Sequence, residues 1–106
     1  MRESKFQREL IKKLKELFPD CLIQKNDPND IQGIPDLTIF YGDRYAFLEV
    51  KESRTASSRP NQQHYVEMLD QMSFAAFIYP ENEEEVLDEL QHAFRTARKP
   101  RLSKSK

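Results

Sequence analysis

Between Glu3 and Phe18 the apolar residues Phe6, Leu10, Leu14 and Leu17 recur at spacings of four, four and three, with Lys and Glu between them. That is the period of an amphipathic helix, and Pro19 stands where such a helix has to stop. Residues 3 to 18 are therefore predicted helical. Leu22-Ile23 is a short apolar segment predicted as a strand, and Asn26-Asp-Pro-Asn-Asp30 after it is dense in turn formers. Gly33-Ile34-Pro35 leads into Leu37-Thr-Ile-Phe-Tyr41, rich in β-branched and aromatic residues, and Tyr45-Ala-Phe-Leu-Glu-Val-Lys51 follows. Gly42-Asp43 between these runs predicts a hairpin with a type II′ turn, whose first central position favours Gly.

In the second half, Pro60 suits the first turn of a helix. Tyr65, Met68, Leu69 and Met72 then fall at i, i+3, i+4 and i+7, which predicts a helix of about 12 residues. Phe74 to Tyr79 is an unbroken apolar run between Ser73 and Pro80, the pattern of a strand buried on both faces. A last helix is predicted from Glu83, with Val86, Leu87, Leu90 and Phe94 turned inward and three Glu in the first turn, where the helix dipole favours negative charge. The order is αβββαβα. It predicts an α/β fold with a mixed central sheet flanked by helices.

Composition narrows the function classes. At 106 residues the chain is one domain. Its longest apolar run is six residues, Phe74 to Tyr79, whereas a membrane span needs about 20. Met1-Arg-Glu-Ser-Lys runs straight into the charged helical pattern with no apolar stretch of a secretory leader, so a cytoplasmic setting is expected. Cys21 is the single cysteine, which leaves no intramolecular disulfide and no cysteine-based zinc site.

The near balance of 17 cations and 18 carboxylates conceals an asymmetry. Six cations and no carboxylate fall in residues 95 to 106, which leaves 11 cations against 18 carboxylates in residues 1 to 94, a formal −7. The expected organisation is a folded domain over 1–96 and a basic, disordered tail over 97–106. An acidic body does not coat nucleic acid by simple charge attraction. A polyanionic partner needs something that offsets its carboxylates.

With Gly42 and Asp43 as the turn, Tyr41 faces Arg44, Ile39 faces Ala46, Leu37 faces Leu48, and Asp36 faces Glu49. Directly opposed side chains share one face of the sheet with Cβ atoms roughly 4.5–5.5 Å apart. Alternation puts Lys51 on that face too, while Leu48 and Val50 point away. Two carboxylates and a lysine thus converge at one end of a hairpin. Three readings fit this: a solvated strand end with a Lys51–Glu49 pair, an acid/base carboxylate pair of the glycosidase kind, or a site for a hard cation such as Mg²⁺ or Mn²⁺. The second lacks a tryptophan platform for sugar. The third explains how an acidic body receives a polyanion.

The run Gly33-Ile-Pro35-Asp36, followed after 12 residues by Glu49-Val-Lys51, resembles the Pro-Asp…(Asp/Glu)-X-Lys signature of the restriction-endonuclease-like superfamily. Within it the chain is most similar to the small stand-alone VRR-Nuc nucleases of phage and bacteria, over about residues 3 to 80. Glu3-Ser-Lys-Phe-Gln7 resembles that family's N-terminal Glu-and-Gln helix, and Arg59-Pro-Asn-Gln62 resembles its Gln at the head of the helix after the catalytic strand. At about 100° per residue, Glu3 lies within roughly 20° of the inward Leu10, and Glu9 is the alternative helix carboxylate.

The resemblance implies a restriction-endonuclease-like αβββαβ core with an extra C-terminal helix. It also implies a Mg²⁺- or Mn²⁺-dependent endonuclease that hydrolyses phosphodiester bonds in DNA, selective for branched or junction structures, working as a homodimer. Asp36, Glu49, Glu3 and the backbone carbonyl of Val50 would hold the cation. Lys51 would orient the attacking water or stabilise charge on the phosphate, and Gln62 would orient the water or hold Lys51. The loop beside the site offers Arg54, Ser57, Ser58 and Arg59 for phosphate contacts. The alternative is a non-catalytic nucleic-acid-binding or regulatory module on the same fold. His64 and His92 are expected at the surface, Cys21 as a small buried hydrophobe, and Tyr41, Tyr45 and Phe47 as core on two sheet faces.

Overall fold

The computed structural model describes residues 2–95; the basic tail over 97–106 lies outside them. Three helices and four strands follow in the order α1 (Glu3–Leu17), β1 (Leu22–Lys25), β2 (Leu37–Tyr41), β3 (Arg44–Val50), α2 (Pro60–Met72), β4 (Phe74–Ile78) and α3 (Glu83–Ala93). The fold is α/β, with the element order read from the hydrophobic pattern. No helix among the described residues is long and apolar enough to cross a membrane.

One mixed sheet carries the strands in the order β1-β2-β3-β4. The β1–β2 and β2–β3 pairs are antiparallel and β3–β4 is parallel, with α2 forming the crossover. Leu37 pairs with Leu48, Ile39 with Ala46 and Tyr41 with Arg44, the register that the Gly42-Asp43 turn predicts. Gly42 alone of the two turn residues has a positive φ, 60°, as a type II′ turn requires.

Alternation sorts the sheet into two unequal faces. Leu37, Ile39, Ala46, Leu48, Val50 and Ile78 face α1 and α3, and their side chains merge with Phe6, Leu10, Leu14, Val86, Leu87 and Leu90 into the main core. On the opposite face Val66 and Leu69 of α2 pack with Ala75, Phe47 and Phe77 in a smaller cluster. Phe18, Tyr41 and Phe94 close one end of the main core as three mutually contacting rings, 5.1 to 5.7 Å apart.

Five details differ from the sequence pattern, the first being Tyr45, which is expected in the core and is 37% exposed near the β2–β3 turn. Leu17 is 38% exposed, and Phe18, just past the helix, completes the inward stripe instead. On α2 the buried residues are Val66 and Leu69, whereas Met72, at the last turn where the sheet ends beneath it, is 62% exposed. The β4 strand has helices over both faces but forms a sheet edge, so Phe74, Ala76 and Phe77 are only half-buried. Glu3 follows the core stripe in angle yet is exposed, because it lies a turn before Phe6, the first residue of α1 that reaches the core.

The segment between β1 and β2 is fixed to α2 by one glycine. Gly33 has φ +92°, and a Cβ there would stand 2.9 Å from Cγ and 3.0 Å from the backbone carbon of Asn61, in the first turn of α2. Both the conformation and the close approach require Gly. Gly33→Ala is expected to lower stability by roughly 1–3 kcal/mol in urea denaturation. An unchanged midpoint would show that this segment does not bear on α2.

Candidate functional site

The β2–β3 ladder ends at Leu37 and Leu48, and beyond it carboxylates take over from backbone carbonyls. The Val50 N–H donates to Asp36 Oδ2 at 2.8 Å, and the Asp36 N–H donates to Glu49 Oε1 at 3.2 Å. Each acid is thereby pinned on the other acid's strand. Asn26 holds the approach to Asp36: its Nδ2 donates to the Pro35 carbonyl at 2.9 Å and to Thr38 Oγ1 at 2.8 Å, while its N–H donates to the Asp36 carbonyl at 2.8 Å. Sequence reading placed Asn26 among turn formers and missed this role. No local pattern signals it, because the contacts form only when the segment over 26–36 folds back.

Gln62, third residue of α2, joins the helix to the acids. Its Oε1 accepts from Lys51 Nζ at 2.9 Å and from the Arg59 N–H at 3.1 Å, and its Nε2 donates to Glu49 Oε2 at 2.8 Å. A protonated lysine and a backbone N–H only donate, so the amide orientation follows from its partners. The same Oε1 also satisfies an N–H at the α2 N-terminus, as a capping residue does. Lys51 Nζ further donates to the Ser57 carbonyl at 3.1 Å and lies 3.6 Å from Glu49 Oε2. With its side chain 11% exposed, the ammonium is held among three oxygen acceptors.

A cleft of about 210 Å³ opens over this constellation, lined by Glu3, Asp36, Glu49, Lys51, Arg59 and Gln62 among others. Burial, the main cause, raises all three of its carboxylic acids above their usual range. For Glu49 burial and then the Asp36 charge raise the value from 4.5 to about 7, against the pull of Lys51. For Glu3 the Asp36 charge is the second cause, which marks Glu3 as a neighbour of the acid pair. Glu9 is exposed and does not line the cleft.

The predicted site residues divide into groups. Asp36, Glu49, Lys51 and Gln62 form one bonded network, with Glu3 at its rim. Among the described residues no three His, Cys, Asp or Glu side chains gather closely enough to cage a metal ion. Two acids, with the Val50 carbonyl directly after Glu49 in the chain, still suit Mg²⁺, which takes one or two carboxylates and keeps its waters. Desolvation raises both acids, and the Asp36 charge raises Glu49 further, a cost that a bound cation would relieve. Ser57 meets Lys51 through its carbonyl rather than its hydroxyl, and Ser58 Oγ accepts from Gln63. Arg54 and Ser58 line a second cleft, described below.

The raised Glu49 value has a stability consequence with a definite sign. Its folded value, about 7, lies above its ordinary 4.5. Protonated Glu49 therefore costs the fold least, and the stability it contributes is complete below about pH 4.5 and lost as pH rises through about 7. In buffer containing a chelator, Glu49→Gln should gain on the wild type between pH 4.5 and 7.5, by roughly 3 kcal/mol at most. Urea denaturation of both proteins across that range checks this, and a pH-independent difference would contradict the burial argument.

No model of a known protein family, no curated protein and no solved structure matches the chain, so the geometry of the site carries the functional reading by itself.

Proposed function

We propose that the protein is a Mg²⁺- or Mn²⁺-dependent endonuclease that hydrolyses phosphodiester bonds in DNA, on a restriction-endonuclease-like αβββαβ core followed by α3. The observation that carries this reading is the bonded set Asp36–Glu49–Gln62–Lys51 in one cleft. Two desolvated carboxylates beside a fixed ammonium suit a site that binds a hard cation and a phosphate together. A purely structural pair would not need Lys51 withdrawn from solvent and held by Gln62.

Asp36, Glu49 and the Val50 carbonyl would hold the cation, which when bound polarises the phosphate and acidifies a coordinated water. Lys51 presents positive charge toward the phosphate oxygens and stabilises the negative charge that grows there as water adds. The bond from phosphorus to the opposite oxygen breaks, and the departing oxygen takes up a proton. Gln62 keeps Lys51 and Glu49 at fixed separation, and Arg59 at the cleft rim supplies a further phosphate contact. Glu3, at the rim of the same cleft, would add a carboxylate toward the cation. A cytoplasmic setting fits this reading. A second copy of the chain would extend the surface over a duplex.

A panel of linear, single-stranded, flapped and four-way DNAs, incubated with and without 5 mM Mg²⁺ or Mn²⁺, tests the proposal. Cation-dependent cleavage of at least one substrate is expected, and Asp36→Asn and Lys51→Ala should each lower kcat by roughly 100-fold or more. Binding without cleavage in any metal would favour a regulatory nucleic-acid-binding module on this fold. Cleavage unaffected by either substitution would place the chemistry elsewhere.

A further inference from the structure

The parallel register between β3 and β4 places two aromatic residues beside the charged site. Glu49 pairs with Phe77 and Val50 with Ile78, and the Lys51 N–H donates to the Ile78 carbonyl at 2.9 Å. Alternation then sets Phe77 and Tyr79 on the sheet face that carries Glu49 and Lys51. Across that face run Asp36 just before β2, Glu49 on β3 with Lys51 just after it, and Phe77 on β4 with Tyr79 just after it.

The loop over 52–59 rises from this face before α2 begins. Between loop and sheet lies a second cleft of about 270 Å³, lined by Lys51, Arg54, Ser58, Phe77 and Tyr79 among others. Lys51 borders both clefts, so a ligand bound at its ammonium reaches either side. The second cleft differs in chemistry from the first: its ionisable borders are two cations and a tyrosine, with no carboxylate.

Two groups there lack protein partners. The Arg54 side chain forms no ion pair among the described residues; its backbone N–H alone is engaged, to Glu81 Oε1 at 3.2 Å. Tyr79 is half-buried, and among the described residues its hydroxyl makes no hydrogen bond, although its N–H is fixed by Asn82 Oδ1 at 2.8 Å. The Tyr79 hydroxyl is open to solvent rather than buried without a partner, so it is the half-buried ring that this cleft presents.

We propose that this second cleft seats one unpaired nucleotide of the strand being cut, with its base against Tyr79 and Phe77 and its phosphate toward Lys51 and Arg54. The inference rests on reading Asp36, Glu49 and Lys51 as a nuclease centre, and it names the substrate class. A base inside a duplex has both faces stacked and is bulked by its partner, so it cannot enter between the loop and β4. An unpaired base offers a free face, and stacking on an aromatic ring is tolerant of sequence. The preferred DNA is therefore frayed, flapped or single-stranded at the nucleotide beside the scissile phosphate. The charge division fits: the acidic cleft takes cation and scissile phosphate, and the cationic cleft takes the neighbouring nucleotide.

The test reads binding without cleavage. Fluorescence anisotropy in EDTA compares a labelled 12-nucleotide single strand, a forked duplex and a blunt duplex. The fork and the single strand should bind on the order of tenfold tighter than the blunt duplex. Tyr79→Ala should remove most of that preference, Tyr79→Phe should keep it because stacking needs the ring and not the hydroxyl, and Arg54→Ala should weaken binding and flatten its salt dependence. Equal wild-type affinity for all three DNAs overturns the proposal, as does a Tyr79→Ala loss shared equally by the blunt duplex. Should Tyr79→Ala fail to fold, titrating the wild type with a thymidine dinucleotide serves instead. Tyr79 ring proton resonances are expected to shift upfield, and unshifted resonances overturn the inference. Fork-selective binding without cleavage in any metal would sink the nuclease reading and leave the subsite standing, while cleavage without fork preference would do the reverse.

Discussion

Two carboxylic acids, withdrawn from water side by side where the central strands end, are the constraint around which the rest is arranged. Burial disfavours both ionised forms, and at Glu49 the Asp36 charge adds to it, so that Glu49 rises to about 7. Such a pair persists only if the surrounding chain holds it. The backbone N–H groups of Asp36 and Val50 do this at one end, and Gln62 and Lys51 do it at the other. Each contact stabilises negative charge at a defined oxygen, so geometry and charge are fixed together. Nothing in the packing of the main core calls for acids at these two positions.

That arrangement ties the site to the helix on the smaller side of the sheet. Val66 and Leu69 of α2 are buried against β3 and β4, which sets where the head of the helix lies. Pro60 begins it, and the Gln62 side chain closes back on the Arg59 N–H. The same amide spans Lys51 and Glu49, so the energy that caps the helix also orients the charged groups. Gly33 presses on Asn61 from the other side, and Pro35-Asp36 follows it after Ile34. Fold and site therefore share residues rather than sitting side by side.

Much of this was legible because it rests on short-range regularities. The Gly42-Asp43 turn fixed the hairpin register, and register with alternation brought Asp36, Glu49 and Lys51 to one face. Lys51 with Gln62 could be grouped only through the resemblance, since their contact crosses a loop of irregular conformation. Asn26 and the Gly33–Asn61 contact were not legible, because they depend on how the segment over 26–36 folds back, which no periodicity encodes. Helical phase put Glu3 on the inward angle but left its depth open, and it is exposed: phase says which way a side chain points, not whether anything covers it there. Tyr79 was absorbed into an apolar run, and its nearness to Lys51 emerges only from the parallel register of β4 on β3.

The formal −7 over residues 1 to 94 at first opposes a polyanionic partner. Its distribution removes much of that opposition. Glu49 titrates at about 7, so near neutral pH and without a cation it carries only part of its formal charge. Were a divalent cation to bind there, Glu49 would give up its proton, and the local charge would move toward positive by less than two units. Lys51 stands between that acidic cleft and a second one bordered by Arg54. A strand entering along this line meets positive potential on one side and, on the other, acids whose charge a cation answers. Affinity for such a partner would then depend on divalent cation at the first cleft and on monovalent salt at the second, two dependences that a uniformly basic surface would not separate.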